Sequence, residues 1–189
     1  LWELEEFPKE WLPAFHLLDE VWTPSEFISQ NLRKYTDKPV YTLPYSVTAP
    51  ADAAYDRDYF HLPKDRFLFL MMYDSGSGMV RKNPLGAIEA FKQAFDRGNK
   101  QVGLVIKMNR SEQSEKDIEN IRTKLDGYDN IYFICETLSK TAVNSLTACV
   151  DVFVSLHRAE GFGLVMAEAM LLGTPVIATN WSANTEFMN

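Results

Sequence analysis

From Arg66 onward, short apolar runs alternate with longer segments that have helical spacing. The apolar runs have the length of strands and contain few polar positions: "RFLFLMMYD", "QVGLVIKMN", "NIYFIC", "VDVFVSLH" and "TPVIATN". Strands of this kind are buried on both faces, as in a parallel sheet that carries helices on both sides. The sequence therefore predicts an α/β fold with a doubly wound parallel sheet, whose ligands bind at the loops that follow the strands.

The segments between these strands carry helix-boundary signals. Pro84 lies near the start of one predicted helix and Gly98 at its end, and Ser111 is placed to cap the next helix. Gly173 closes the predicted helix "GFGLVMAEAMLLG", and "WSANTEFMN" starts a helix that the sequence does not finish. The predicted order is therefore strand and helix in alternation.

The first 64 residues have a different pattern. "DEVWTP" is strand-like, Ser25 can cap a short helix, and "PVYTLPYSV" is a short extended segment. Residues 48–64 are rich in Pro, Asp and Ala without a period, which is typical of a connector. We therefore predict three parts: residues 1–47, the connector 48–64 and the α/β domain 65–189. Because the chain begins at Leu1 and not at a methionine, we expect it to be a piece of a longer protein.

Composition restricts the class of partner. Of the 189 residues, 46% are hydrophobic and 24% are charged, which is typical of a globular protein. The formal net charge of −7 disfavours binding to nucleic acid and to anionic lipid head groups, so a phosphate site has to be local. Cys135 and Cys149 lie in apolar stretches, which suggests buried thiols in a reducing compartment. We therefore expect no nucleic-acid partner and a cytoplasmic location.

The segment "SLHRAEGFG" lies between a predicted strand and a predicted helix and contains two glycines in a tight turn. Gly161 and Gly163 leave the backbone uncovered, so that the amide N–H groups of the first helical turn face outward. The helix macrodipole adds partial positive charge at this end. This turn is therefore predicted to bind a phosphate or a carboxylate.

Two glutamates flank the turn: Glu160 precedes it and Glu168 lies inside the helix, with seven residues between them. Both would repel an anion unless they faced neutral parts of the ligand. A nucleotide sugar presents phosphates to the helix and hydroxyls to the carboxylates. A pair of solvated surface glutamates is the alternative, but Glu168 lies within the apolar stretch "VMAEAMLLG" and therefore needs a partner.

Three basic side chains lie at the same predicted edge of the sheet. Arg81 and Lys82 precede a predicted helix and can neutralise a diphosphate, by a forked contact and a point charge respectively. Lys107 ends the strand "QVGLVIKMN" and can reach the same anion. The alternatives are a solvated basic pair and a strand-end lysine that extends its ammonium into solvent. Gly76 and Gly78 lack the third glycine of a dinucleotide-binding fingerprint.

Other kinds of catalytic centre have little support in the sequence. His16, His61 and His157 are scattered and do not cluster with cysteines or carboxylates, so we expect no metal site. No Gly-x-Ser-x-Gly elbow occurs, and neither cysteine has a basic neighbour that would lower its pKa. The favoured interpretation is therefore a site that holds a nucleotide sugar.

The stretch "SLHRAEGFGLVMAEAMLLGTPVIATNWSANTEFM", with "RKNPLGAIEAF" upstream, resembles retaining glycosyltransferases of family 4, which carry a paired-glutamate E-x7-E signature. The resemblance covers about residues 66–189, and "DEVWTPSEF" looks like the end of the acceptor-side domain of these enzymes. It implies the GT-B architecture of two facing Rossmann-like domains, in which the C-terminal domain holds most of the nucleotide-sugar donor.

The resemblance also implies roles for individual residues. Glu168 would bind the ribose hydroxyls, whereas Glu160, Arg81 and Lys82 would form the catalytic group, with Glu160 on the donor sugar and the basic pair on the diphosphate. Besides Glu168, the residues predicted to bind the donor are Lys107, Gly161, Phe162, Gly163, Leu164, Ser182 and Asn184.

By the same resemblance, transfer retains the anomeric configuration and needs no metal ion or other cofactor, because the basic pair and the helix end stabilise the leaving nucleoside diphosphate. The acceptor would be a saccharide or a lipid-linked saccharide, as in polysaccharide or lipopolysaccharide synthesis. The full-length protein would then associate peripherally with the inner membrane face. Because most of the acceptor-side domain is missing, we expect this chain to bind the donor and to transfer sugar poorly.

Three alternatives remain open. A nucleotide-sugar epimerase of the same fold would use the same donor site without an acceptor. A non-enzymatic nucleotide-binding module would keep the glutamates without using them for transfer. A Rossmann oxidoreductase is disfavoured by the missing third glycine and by the lack of a suitably placed acidic residue after the second strand.

Overall fold

A computed structural model describes residues 3–4, 6–74, 79–108, 112–125 and 127–188. The chain forms two compact units. The first unit comprises Leu1–Val47, Arg158–Ala167 and Asn180–Asn189, and the second comprises Thr48–His157 and Glu168–Thr179. Within the described ranges, no helix combines the length and the apolar composition that crossing a membrane requires.

The helices and strands follow one another along the chain in a regular order. A 3₁₀ helix, Lys9–Leu17, precedes β1 (Val21–Thr23), α1 (Glu26–Leu32) and β2 (Val40–Thr42). The α/β pattern then consists of β3 (Phe67–Tyr73), α2 (Met79–Lys82), α3 (Pro84–Ala94), β4 (Val102–Met108), α4 (Glu112–Lys124), β5 (Ile131–Ile134), α5 (Lys140–Cys149), β6 (Val152–Ser155), α6 (Leu164–Leu171) and β7 (Val176–Ala178). A short 3₁₀ turn, Ala183–Glu186, follows β7.

In the first unit, β1 and β2 pair in parallel. Helix α1 begins after Ser25, whose Oγ accepts a hydrogen bond from the Ile28 amide at 3.4 Å, so the predicted cap is confirmed. Ile28 joins Phe15, Leu32 and Val40 in a small buried core. This core holds α1 against the strand pair.

The second unit contains a five-stranded parallel sheet in the order β5-β4-β3-β6-β7. Leu70 in β3 lies opposite Val105 in β4 and Phe153 in β6. The strand order extends from β3 toward β5 and then reverses, so that β6 and β7 lie on the other side of β3. This reversal confirms the predicted doubly wound sheet, and it places a topological switch point between β3 and β6, where such sheets usually bind ligands.

The main core lies between this sheet and two helices. Ile88 and Phe91 of α3 and Ile121 of α4 pack with Leu104 and Ile106 of β4. Every residue of β4 is buried. Since β4 is buried on both faces, the faces of this strand are not available to a ligand.

Several sequence predictions differ from the structure. The helix expected from "WSANTEFMN" is a single 3₁₀ turn, and α3 ends at Ala94, before Gly98. The 3₁₀ helix Lys9–Leu17 and the short helix α2 had no clear periodic signal. Both cysteines are half-buried and not fully buried; burial raises the pKa of the Cys149 thiol to about 11. The predicted Ser111 cap and the glycines at positions 76 and 78 lie outside the described residues.

Arg57 fixes the segment before β3 to the start of β6. Its Nε donates to the Cys149 carbonyl at 2.6 Å, Nη1 donates to the Arg66 carbonyl at 2.9 Å, and Nη2 lies 2.8 Å from Asp151 Oδ2. The same Asp151 oxygen accepts the Leu68 amide at 2.7 Å. The Arg57 side chain is only 17% exposed, so its guanidinium is largely shielded from water. It therefore stabilises the second unit through several bonds at once.

We expect Arg57→Ala to lower the free energy of unfolding by about 2–3 kcal/mol, because it leaves partly buried carbonyls and the Asp151 carboxylate without their partner. Urea denaturation followed by circular dichroism measures this loss. Lys64→Ala is the matched control, since Lys64 pairs with Asp58 in the same segment while both side chains are more than half exposed. Equal midpoints for the two variants would contradict the role given to Arg57.

Candidate functional site

The turn before α6 in the first unit has a backbone that requires glycine. Gly163 has a φ of +94°, and a Cβ atom at this position would lie 2.6 Å from the Met166 Cε. The Ala167 amide donates to the Gly163 carbonyl at 3.0 Å, which is the first bond of the helix. The amides of Leu164 and Val165 therefore precede the helical ladder, as expected for a helix end that can bind an anion.

The backbone of Glu160 is held by the segment that follows β7. The Glu160 amide donates to Ser182 Oγ at 2.9 Å, and the Ala183 amide donates to the Glu160 carbonyl at 3.2 Å. Glu160, Ser182 and Asn184 are all buried. Ser182, which was predicted to contact the donor, thus supports the Glu160 backbone, and its hydroxyl donates to Oδ1 of Asn184, also a predicted donor contact, at 3.4 Å.

Ser182 adopts an unusual backbone conformation for a residue with a side chain. Its φ of +74° and ψ of −159° fall in a region that is populated almost only by glycine. The Ser182 carbonyl also accepts from Thr185 Oγ1 at 2.7 Å. The hydrogen bonds around Ser182 therefore offset the strain of a conformation that brings its hydroxyl to the Glu160 amide.

Further contacts in the first unit hold the turn before α6 and the segment that follows β7. Glu186 accepts the amides of Glu26 and Phe27 at 3.0 and 2.8 Å, so one carboxylate caps the first turn of α1. The Ser25 hydroxyl donates to the Gly161 carbonyl at 2.6 Å. The Phe162 ring packs on the rings of Tyr45 and Phe187, with centroid distances of 5.3 and 5.5 Å. The cap by Glu186 was not predicted, because its partner amides lie about 160 residues away.

Glu168, in the second unit, has an unusual environment for a carboxylate. Its side chain is 7% exposed, and its Oε1 lies 2.5 Å from the Nζ of Lys140, the first residue of α5. Among the described residues, Glu168 Oε2 has no hydrogen-bond partner. The sequence predicted that Glu168 needs a partner, and the structure identifies Lys140 as that partner. One buried carboxylate oxygen remains for another donor.

The predicted basic pair lies at the end of α2 in the second unit. Arg81 and Lys82 occupy the last turn of this helix and are half-buried. The next residue, Asn83, has a left-handed φ of +50°, and its side-chain amide donates to the Leu156 carbonyl at 2.8 Å, just beyond β6. A Cβ atom on Gly86 would lie 2.5 Å from the Asn83 side chain, so glycine makes room for this contact. The junction after the basic pair is thereby fixed beside the carboxyl end of β6.

Lys107 is 4% exposed at the carboxyl end of β4, so the alternative of a lysine that extends into solvent is wrong. Burial lowers the pKa of its ammonium, and the nearby Cys135, Asp74 and Glu136 oppose this shift. In its protonated form, Lys107 places a buried cation at the carboxyl end of β4.

The structure thus divides the predicted site residues between the two units. Seven of them belong to the first unit: Glu160, Gly161, Phe162, Gly163, Leu164, Ser182 and Asn184. Four belong to the second unit: Arg81, Lys82, Lys107 and Glu168. The residues that sequence reasoning missed are supporting ones, namely Asn83, Lys140 and the Glu186 cap.

A family model of glycosyl transferases group 1 matches residues 60–189, which is more than half of the chain. The chain belongs to this family. Family membership confirms the broad assignment that was made from the paired glutamates and their surroundings. No protein of curated function matches the sequence.

Solved structures similar to this group 1 chain share its fold. HepE of Anabaena, in complex with UDP and glucose, has a TM-score of 0.77 at 17% identity, over 97% of this chain and 52% of HepE. Sucrose-phosphate synthase of Thermosynechococcus elongatus has a TM-score of 0.72 at 22% identity, over 90% of this chain and 44% of the synthase. WaaG, a glycosyltransferase involved in lipopolysaccharide biosynthesis, has a TM-score of 0.67 at 16% identity, over 88% and 45%.

The group 1 chain therefore spans about half the length of these three proteins. At such low identities the likeness establishes the fold alone. That fold is the Rossmann-like α/β domain of GT-B proteins, as the sequence predicted.

We expect Ser182→Gly to be more stable than Ser182→Ala by about 1–2 kcal/mol, since both lose the hydroxyl bond to Glu160 but only glycine relieves the backbone strain. Urea denaturation of the two variants measures the difference. Equal stabilities would show that the backbone at this position is unstrained in solution.

We also expect the stability of the wild type, measured against Lys107→Met, to rise as the pH increases. The folded state loses the Lys107 proton at a lower pH than the unfolded state does, so between the two pKa values the unfolded state binds more protons. The rise in the free energy of unfolding begins at the lowered pKa of the folded state and ends at about pH 10.4, where lysine titrates in the unfolded state. Urea denaturation at a series of pH values tests this, and parallel curves for the two proteins would contradict it.

Proposed function

We propose that this chain holds the donor in a retaining glycosyltransferase, which transfers a sugar from a nucleoside-diphosphate sugar to an acceptor without a metal ion. The observation that carries the proposal is the environment of Glu168. A carboxylate buried in an apolar helix, with one oxygen paired and the other unpartnered among the described residues, is expensive unless a ligand completes it. The ribose hydroxyls of a nucleotide are donors of the required kind.

The same helix supports a role for phosphate. Helix α6 begins at Leu164 with backbone amides that precede the helical ladder, and Glu168 lies one turn further along. Such a helix start is a common binding site for phosphate, which a nucleoside diphosphate supplies. Glu160, whose backbone is held by Ser182, is proposed to bind hydroxyls of the donor sugar.

Arg81 and Lys82 are proposed to stabilise the leaving group. When the bond between the sugar and the diphosphate breaks, negative charge develops on the phosphate oxygen. The two cations can stabilise this charge, with Lys107 as a further cation in its protonated form, and no metal ion is then needed. The carboxylates hold substrate in this scheme and do not divide acid and base roles as in a glycoside hydrolase.

The remaining parts of the proposal concern the rest of the reaction. HepE is in complex with UDP and glucose, which supports UDP-sugars as the first donors to test here. WaaG is involved in lipopolysaccharide biosynthesis, which supports a saccharide or a lipid-linked saccharide as acceptor. We assign residues 1–47 to the acceptor-side domain and residues 65–189 to the donor-binding domain of the whole enzyme.

We expect one of UDP, GDP, ADP or dTDP to bind this chain selectively in a calorimetric titration. Glu168→Ala should weaken that binding at least about tenfold, because it removes the hydroxyl acceptor. The control is Glu119→Ala, which removes an exposed glutamate of α4 and should leave the affinity unchanged. Failure of every nucleotide to bind, or equal affinity of the wild type and Glu168→Ala, would contradict the proposal.

A further inference from the structure

Lys140 is an unusual first residue for a helix. The N-terminus of a helix carries partial positive charge, so a lysine in the first turn is electrostatically unfavourable for the helix itself. Helix α5 already has its cap, because Ser139 Oγ accepts the Ala142 amide at 3.2 Å. The capping of α5 therefore does not depend on Lys140.

The contact that Lys140 makes lies outside α5. Its Nζ is 2.5 Å from Glu168 Oε1, and its own side chain is 55% exposed whereas that of Glu168 is 7% exposed. The pair is thus open to solvent on the lysine side and closed on the glutamate side. Because only one carboxylate oxygen is used by Lys140, the other oxygen is left to a ligand.

We propose that Lys140 is a positioning residue for nucleotide binding: it holds Glu168 oriented so that the second carboxylate oxygen accepts a ribose hydroxyl. This inference rests on the proposed function and adds to it a residue that contacts the nucleotide only through Glu168. The ion pair with Lys140 offsets part of the cost of burying the Glu168 carboxylate. It also restricts the rotamers of Glu168 before the ligand arrives, which lowers the entropic cost of binding.

A role through Glu168 differs from direct contact in a measurable way. If Lys140 acts through Glu168, its effect requires the ribose hydroxyls that Glu168 binds. If Lys140 contacts the diphosphate or the base, its effect is the same whether or not those hydroxyls are present. If Lys140 instead competes with the ribose for Glu168, its removal tightens binding.

The experiment compares whichever of UDP, GDP, ADP and dTDP binds the wild type most tightly with the 2′,3′-dideoxy form of the same nucleotide. We expect Lys140→Met to weaken binding of the ribonucleotide about tenfold and to leave binding of the dideoxy form within about twofold. Lys140→Arg keeps the charge and should restore most of the ribonucleotide affinity. In a Glu168→Gln background, Lys140→Met should cause no further loss.

Lys92→Met is the matched control, because Lys92 pairs with Glu89 on α3 and should not affect either affinity when it is replaced. Melting temperatures of all variants separate a loss of binding from a loss of folding. If Lys140→Met does not fold, Lys140→Gln takes its place in the same comparison, because it removes the charge but keeps a polar side chain.

Three results would overturn the inference while leaving the proposed function intact: equal losses for both nucleotides, unchanged binding, or tighter binding of the ribonucleotide by Lys140→Met. Absence of binding by the wild type to any of the four nucleoside diphosphates would instead overturn the proposed function, and the inference with it.

Discussion

Burial of the parallel sheet on both faces is the constraint on which the rest of the second unit depends. Every residue of β4 is buried, Lys107 included, so this central strand leaves no open surface for a ligand. Chemistry is then confined to the loops and helix ends at the carboxyl edge. The basic pair of α2 lies at this edge because Asn83 ties the α2–α3 junction to the carbonyl that follows β6.

The residues around the two glutamates include locally destabilising features, and contacts with neighbouring residues offset part of their cost. Ser182 is held in a conformation that suits glycine, and its hydroxyl supports Glu160 in return. Glu168 keeps a buried carboxylate oxygen without a partner among the described residues, and Lys140 offsets part of that cost. Unfavourable features of this kind concentrate at functional sites, because they hold groups ready for a ligand.

Sequence reasoning located the strands, the Ser25 cap and the paired glutamates, because these depend on local spacing and on residue chemistry. It could not identify contacts between distant residues. Lys140 lies far from Glu168 in the sequence, and Asn83 lies 73 residues from Leu156. The roles of Ser182 and Glu186 were also out of reach, since a left-handed serine and a cap supplied from the other end of the chain leave no periodic pattern. A helix was expected here, but the chain forms only the 3₁₀ turn Ala183–Glu186. The preceding Ser182 has a non-helical backbone and is hydrogen-bonded to the Glu160 amide.

The first unit is assembled from three separate stretches of chain, Leu1–Val47, Arg158–Ala167 and Asn180–Asn189. Its two ends meet where Glu186 caps α1, so the unit closes only after the polypeptide has been synthesised as far as this glutamate. On a ribosome that extends the chain from its N-terminus, α1 has only its Ser25 cap until nearly all of these residues have emerged. Proteolytic nicking in the connector after Val47 would for the same reason leave the N-terminal piece noncovalently bound, as in a split protein whose halves complement each other.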